Sequence, residues 1–197
     1  MKIYFAGPLF TPYVRRFIAE QASILRANGM EVFVPHENTF GTISMERVQA
    51  LQNQGVLPAD DSARAALVAV RMLKDGILKR EDLGLATIDA QTVFEVDYAG
   101  LSSADAVLAI LDGTQLDDGT ACEIGIFMNL MRINSASRKK GIVGLITDSR
   151  GIGKKKNGYG LNFFILGILE EHGVIVDNFE DALQQLLKWD AELKVGM

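Results

Sequence analysis

Apolar positions near the start of the chain follow two different periods. Residues 2–6 (KIYFA) form an unbroken β-rich run closed by Gly7-Pro8, which predicts a strand that stops at a loop. From 13 to 28, Val14, Phe17, Ile18, Ala22 and Leu25 recur at helical spacing, and Asn28-Gly29 supplies the stop. Glu31 to Val34 reads as a second short strand. Residues 2–34 are therefore a β-α-β unit.

Residues 44–54 and 60–75 have helical character, with Leu67, Val70 and Met72 among good helix formers, whereas 35–43 and 76–88 follow neither period. The stretch of about 40–88 is expected to be a helical insertion after the second strand. Beyond it, 90–101 reads as a helix, and 106–111 (AVLAIL) is a continuous apolar run of the kind found in a strand buried on both faces. A helix over 119–131, a buried strand over 141–147 (GIVGLIT), a helix over 161–171 and a short strand at Val174 to Val176 follow. A final amphipathic helix carries Phe179, Leu183, Leu186 and Leu187 on one face. No internal repeat and no Ser- or Gly-rich linker is found. Apolar strands alternating with helices predict one α/β domain over 1–197, a doubly wound five-stranded parallel sheet of flavodoxin/Rossmann-like type. Ligands of such sheets sit beyond the carboxyl ends of the strands. Here that edge collects Ala6-Gly7-Pro8, Asp112 to Thr120 and Asp148 to Gly160.

Composition narrows the class. With 197 residues, 48% hydrophobic and 23% charged, the chain can bury a core without disulfides or a structural metal. A net charge of −5 offers no general attraction for nucleic acid or anionic lipid. A single cysteine, Cys122, suits a reducing compartment. The N-terminal apolar run is too short for a signal peptide, and no window approaches the ~20 apolar residues needed to span a bilayer. The expected location is the cytoplasm, with no nucleic-acid or membrane partner.

The candidate chemistry lies in 112–125, DGTQLDDGTACEIG, where Asp112, Asp117, Asp118 and Glu123 share one strand-to-helix junction. A purely structural account is available: Thr120-x-x-Glu123 as a capping box, Asp118-Gly119 as a turn, and acids in a first helical turn matched to the helix dipole. The functional account makes Glu123 a carboxylate nucleophile facing a pocket, with an aspartate across it to handle protons. No histidine lies nearby and the loop lacks the spacing of calcium sites, so neither a metal nor a cofactor is expected.

At these residues the sequence resembles the nucleoside 2-deoxyribosyltransferase family. The matching stretches are KIYFAGPLF at 2–10, FEVDYAGLSSADAVLAILDG at 94–113, LDDGTACEIGIF at 116–127 and GYGLNFFILGILEEHGVIVDNFEDAL at 158–183. The resemblance implies Glu123 as nucleophile, Tyr4 as the tyrosine that orients it, and Asp97 and Asp117 as the aspartates that contact sugar and base. Gly7, Pro8, Asp112, Asp118 and Gly119 fall in the surrounding binding loops. It also implies a homo-oligomer, a dimer or multiple of dimers with shared sites, because a neighbouring subunit of the family lends an asparagine from a Gly-x-Pro-x-Asn-Leu-Met stretch. In this chain Phe164 stands at the asparagine position and Asn162 at the proline position.

The implied partners are a small nucleoside or nucleotide and a free nucleobase. A glycosidic C1′–N bond breaks through an oxocarbenium-like transition state, which a carboxylate can stabilise and trap as an ester. An aspartic acid raised in pKa by neighbouring carboxylates can protonate the departing base. Two alternatives stay open: a nucleoside 5′-monophosphate N-glycosidase, to which the basic stretch Arg150, Lys154, Lys155 and Lys156 would lend phosphate contacts, and a nucleotide-binding sensor without turnover. Cys122 reads as a small packed residue, His36 and His172 as ordinary surface or loop histidines, and Arg138, Lys139 and Lys140 as solvated surface.

Overall fold

The computed structural model describes residues 1–39, 43–59, 61–85, 89–133, 139–149 and 159–195. Five parallel strands, β1 (Lys2–Ala6), β2 (Glu31–Phe33), β3 (Ala106–Ile110), β4 (Gly141–Leu145) and β5 (Gly173–Val176), pair in the order β2-β1-β3-β4-β5. The chain forms two compact units, Met1–Pro35 with Asp97–Met197, and His36–Val96.

In the first unit the period of two along each strand sorts side chains between the faces of the sheet. Ile3, Phe5, Leu108, Ile110, Val143 and Leu145 point one way, onto α1 (Pro12–Ala27) and α8 (Phe179–Val195). Tyr4, Ala6, Val107, Ala109 and Ile142 point the other way, into a second core. Into it α5 (Ala90–Ser103) sends Leu101, α6 (Asp118–Ile133) sends Ile124 and Phe127, and α7 (Phe163–His172) sends Ile165, Ile168 and Leu169. Strands covered on both faces need no polar alternation, which explains the continuous apolar runs of β3 and β4. Helix α1 starts where Thr11 accepts a hydrogen bond from the Val14 N–H at 3.3 Å, with Pro12 in its first turn.

The second unit contains α3 (Met45–Asn53), α4 (Ser62–Lys74) and a 3₁₀ turn, Glu81–Leu83. It has its own core of Val48, Leu57, Ala65, Ala69, Leu78, Leu83 and Leu85. Its first residues belong to a short helix, α2 (Pro35–Thr39), in a stretch whose sequence shows no period. A local repeat absent from the sequence reading appears here. Helices α3 and α4 both end on a left-handed glycine, Gly55 and Gly76, each at φ 72°. The two following amides, at Val56 and Leu57 and at Ile77 and Leu78, return to one carbonyl, of Leu51 and of Met72 respectively. Only glycine takes that φ without strain, and the turn puts Leu57 and Leu78 into the core while Val56 and Ile77 stay exposed. Among the described residues no helix is long and apolar enough to cross a membrane.

Candidate active site

The order β2-β1-β3 means that the chain reverses its direction of winding between β1 and β3, and the loops leaving those two strands open a crevice there. A cavity of about 560 Å³ occupies this edge, lined by Pro8, Phe10, Asp112, Gln115, Asp117 and Asp148 among others. Gly7, at the end of β1, serves close packing: a Cβ on it would come within 3.2 Å of Ile110 and 3.3 Å of Ile18.

Tyr4 is the one polar side chain of β1 on the inner faces, and it is fully buried. Its hydroxyl donates to Glu123 Oε1 at 2.5 Å, across 119 positions of sequence. A buried phenol needs a partner, and a carboxylate gives a short charge-assisted one. Burial first, and the Glu123 charge second, push the phenol far above its usual range, so it stays a donor. Burial likewise raises the Glu123 carboxyl, the Tyr4 hydrogen bond lowers it, and the charges of Asp97 and Asp117 raise it again, leaving it at about 7. Asp97 stands half-buried on α5 and acts electrostatically on both Tyr4 and Glu123.

The other acids of the junction are held by backbone. Asp117 Oδ2 accepts from the Thr120 N–H at 2.9 Å and the Thr120 hydroxyl at 3.0 Å. Asp117 is thus the N-cap of α6, and Thr120 is the buried third residue of that helix. The capping box expected at Thr120-x-x-Glu123 is displaced by one turn: the cap is Asp117 with Thr120, and Glu123, in the second turn, is left to meet Tyr4. Asp112 braces two loops. Its Oδ1 accepts from the N–H groups of Thr147 at 2.7 Å and Asp148 at 2.9 Å, and its Oδ2 from the Thr147 hydroxyl at 2.5 Å. Asp148 returns the contact by accepting from the Gly113 N–H at 3.3 Å. Asp118 is exposed and closes on the N–H of Gly119 at 2.8 Å. Cys122, one position before Glu123, is exposed.

Residues 3–184 match the family model described as nucleoside 2-deoxyribosyltransferase. The chain belongs to this family. Solved structures share its fold. A conserved protein from Enterococcus faecalis V583 has a TM-score of 0.61 and 23% identity, covering 95% of this chain and 98% of that one. A 2-deoxyribosyltransferase from Bacillus psychrosaccharolyticus has a TM-score of 0.53 and 19% identity, covering 93% and 90%. A CMP N-glycosidase, BcmB, from Clostridium botulinum gives a TM-score of 0.44 at 13% identity, covering 96% and 99%. No curated protein matches the sequence significantly.

Set against what the family resemblance implies, the structure brings Tyr4, Glu123, Asp97 and Asp117 into one electrostatic cluster and places Pro8, Asp112 and Asp117 along the cavity. Asn162 and Phe164 are elsewhere. Asn162 is the N-cap of α7, accepting from the Phe164 N–H at 2.8 Å. Phe164, 73% exposed, lines a separate cavity of about 280 Å³ with Phe163, Met128 and Arg132. Two corrections concern residues read as surface. Lys139 is half-buried and donates to the carbonyls of Ser102 and Ala104, both at 2.8 Å, while lying 4.9 Å from the centroid of the Phe127 ring. His172 ends α7 and accepts from Arg132, whose guanidinium grips both oxygens of Glu171. Arg138, Arg150 and Lys154 to Lys156 lie outside the described residues. Among the described residues, no group of three or more His, Cys, Asp or Glu is placed to hold a metal. Sequence reading paired Thr120 with Glu123 instead of Asp117, and missed Thr147 and Asp148 as partners of Asp112 and Phe10 and Gln115 as lining. A polar residue beside an acid in a strand-to-helix loop is the signal that could have found Thr147 and Asp148.

Proposed function

We propose that the protein exchanges the nucleobase of a (2-deoxy)ribonucleoside through a covalent glycosyl–Glu123 intermediate. The observation that carries this reading is the 2.5 Å hydrogen bond from the Tyr4 hydroxyl to Glu123 Oε1. A buried donor there fixes one carboxylate oxygen and leaves Oε2 to approach C1′. In the first half-reaction an Oε2 lone pair forms the bond to C1′, and the C1′–N pair departs with the base, which takes a proton. Asp97 is the better donor, because Asp117 already holds the α6 cap. In the second half-reaction the nitrogen of another base attacks C1′ and gives its proton back to the Asp97 carboxylate, the ester opens, and Glu123 regains its charge. A passive nucleotide pocket gains nothing from gathering two aspartates around one half-buried carboxyl.

The test supplies deoxyinosine or thymidine with excess adenine and follows products by chromatography, then repeats the assay with the 5′-monophosphates. New deoxyadenosine forming faster than free deoxyribose is expected, and Glu123→Ala should cut that rate by about a thousandfold or more while the chain stays folded. Free sugar phosphate made only from the monophosphates, unchanged by added base, would replace this reading with the nucleotide N-hydrolase. The same reading takes the active unit to be a homo-oligomer in which the surface around Phe163 and Phe164 meets a second copy.

A further inference from the structure

The Tyr4 ring is clamped from behind. Phe33 of β2 is its register partner across the β1–β2 pair. The two rings stack with centroids 5.3 Å apart and planes inclined by 14°. The Phe33 ring also meets the backbone of α5 at Gly100. A Cβ added to Gly100 would lie 2.7 Å from Phe33 Cε1 and Cζ and 2.8 Å from Cδ1. No real Cβ approaches that closely, so only glycine lets α5 and the ring meet. Phe33 thus packs against both the α5 backbone and the Tyr4 ring, whose hydroxyl holds Glu123.

We infer that Phe33 and Gly100 are positioning residues for the reaction, acting through the orientation of Tyr4; the inference rests on the proposed role of Glu123. Conjugation of the phenolic oxygen with its ring keeps the O–H in the ring plane, so fixing that plane fixes the directions in which the hydroxyl can donate. A stacked neighbour restrains the tilt and rotation of the ring, and the close contact of that neighbour with the α5 backbone limits its own movement. The charged and titratable groups that act on Glu123 are Tyr4 from β1, Asp97 from α5 and Asp117 at the head of α6. Of these, Tyr4 alone favours the charged carboxylate. Loosening the stack therefore weakens the one interaction that holds Glu123 ionised.

The test compares Phe33→Leu, Phe33→Met, Gly100→Ala and the pair Phe33→Leu/Gly100→Ala in the full chain. Each is assayed for base exchange over pH 5–9, alone and on a Tyr4→Phe background. Each single change should lower kcat about three- to tenfold, the rate equivalent of one stacked aromatic pair, with little change in KM. The acid limb of the pH profile should move to higher pH. The Leu/Ala pair, which relieves the overlap, should recover the melting temperature of Gly100→Ala but not kcat. On the Tyr4→Phe background none of the changes should lower kcat further. Activity lost in Glu123→Ala but unaltered in Phe33→Leu and Phe33→Met, or fully recovered in the Leu/Ala pair, would reduce the stack to space filling and overturn the proposal alone. Turnover surviving in Glu123→Ala would overturn the underlying reading and this proposal with it.

Discussion

Glu123 is a carboxyl that burial disfavours in its charged form, and its stability linkage follows from that. Its folded value of about 7 lies above the ordinary 4.5. Between those values the folded state holds more protons than the unfolded one, so the contribution of Glu123 to stability falls as pH rises and its cost is complete above about pH 7. Glu123→Gln keeps an acceptor for Tyr4 and removes the charge. At pH 8 it should therefore be more stable than the parent by on the order of 2 kcal/mol, and the difference should close toward pH 5, as thermal unfolding at the two pH values would reveal. Equal melting temperatures at pH 8 would mean that the carboxyl is not raised. Catalysis runs in the opposite sense, since only the ionised form is a nucleophile. At this scale Glu123 is legible as an acid beside a helix start, whereas Tyr4 is reached only through the family resemblance, because a tyrosine in an apolar strand reads by itself as a packed ring. Phe33 is not conspicuous. In the tripeptide EVF nothing marks which ring it will meet, because that depends on strand register.

Helix ends are where sequence patterns competed. Two capping signatures overlap at the head of α6, Asp117 with Thr120 and Thr120 with Glu123, and both satisfy the spacing of a box. The first wins because α6 begins at Asp118, and the choice frees Glu123 for chemistry. At the other end of the neighbouring helix, Lys139 answers the last carbonyls of α5 and rests on Phe127, which lies one turn beyond Glu123 on α6. A cation at a helix C-terminus is favourable by charge and by hydrogen bonding. Lys139→Met should keep the packing on Phe127 yet lose about 1–2 kcal/mol of stability, read as a lower urea midpoint at unchanged slope. An unchanged midpoint would make the contact incidental. Sequence reading took this lysine for solvated surface because a basic run before a strand carries no sign of the carbonyls it will reach. The elements themselves were accessible from periodicity, since strands buried on both faces and helices with one apolar stripe write different patterns.

For the whole molecule, periodicity supplies five strands but not their order, which depends on where each crossover lands. The bounds of the inserted unit, His36–Val96, are equally a matter of contacts, and only a helical excursion of about 40–88 is visible beforehand. The exposed pair Phe163 and Phe164, at 80% and 73%, offers more aromatic surface than a monomer ordinarily leaves in water. Phe163→Ser/Phe164→Ser should sediment as a smaller species than the parent and lose base exchange, whereas a fully active parent monomer would exclude a shared site. One feature of the fold also bears on how the chain assembles. Tyr4 leaves the ribosome long before Glu123, and β1 must wait for β3 across everything between them. The intervening unit has a hydrophobic core of its own, so it can condense first and enter the closure of β1 on β3 as a compact body instead of as free chain. Loop-closure entropy grows with the length of flexible chain. A mutation that unfolds the insertion should therefore slow pairing of the central strands, and with it the arrival of Glu123 at the phenol, even if it touches no residue of the site.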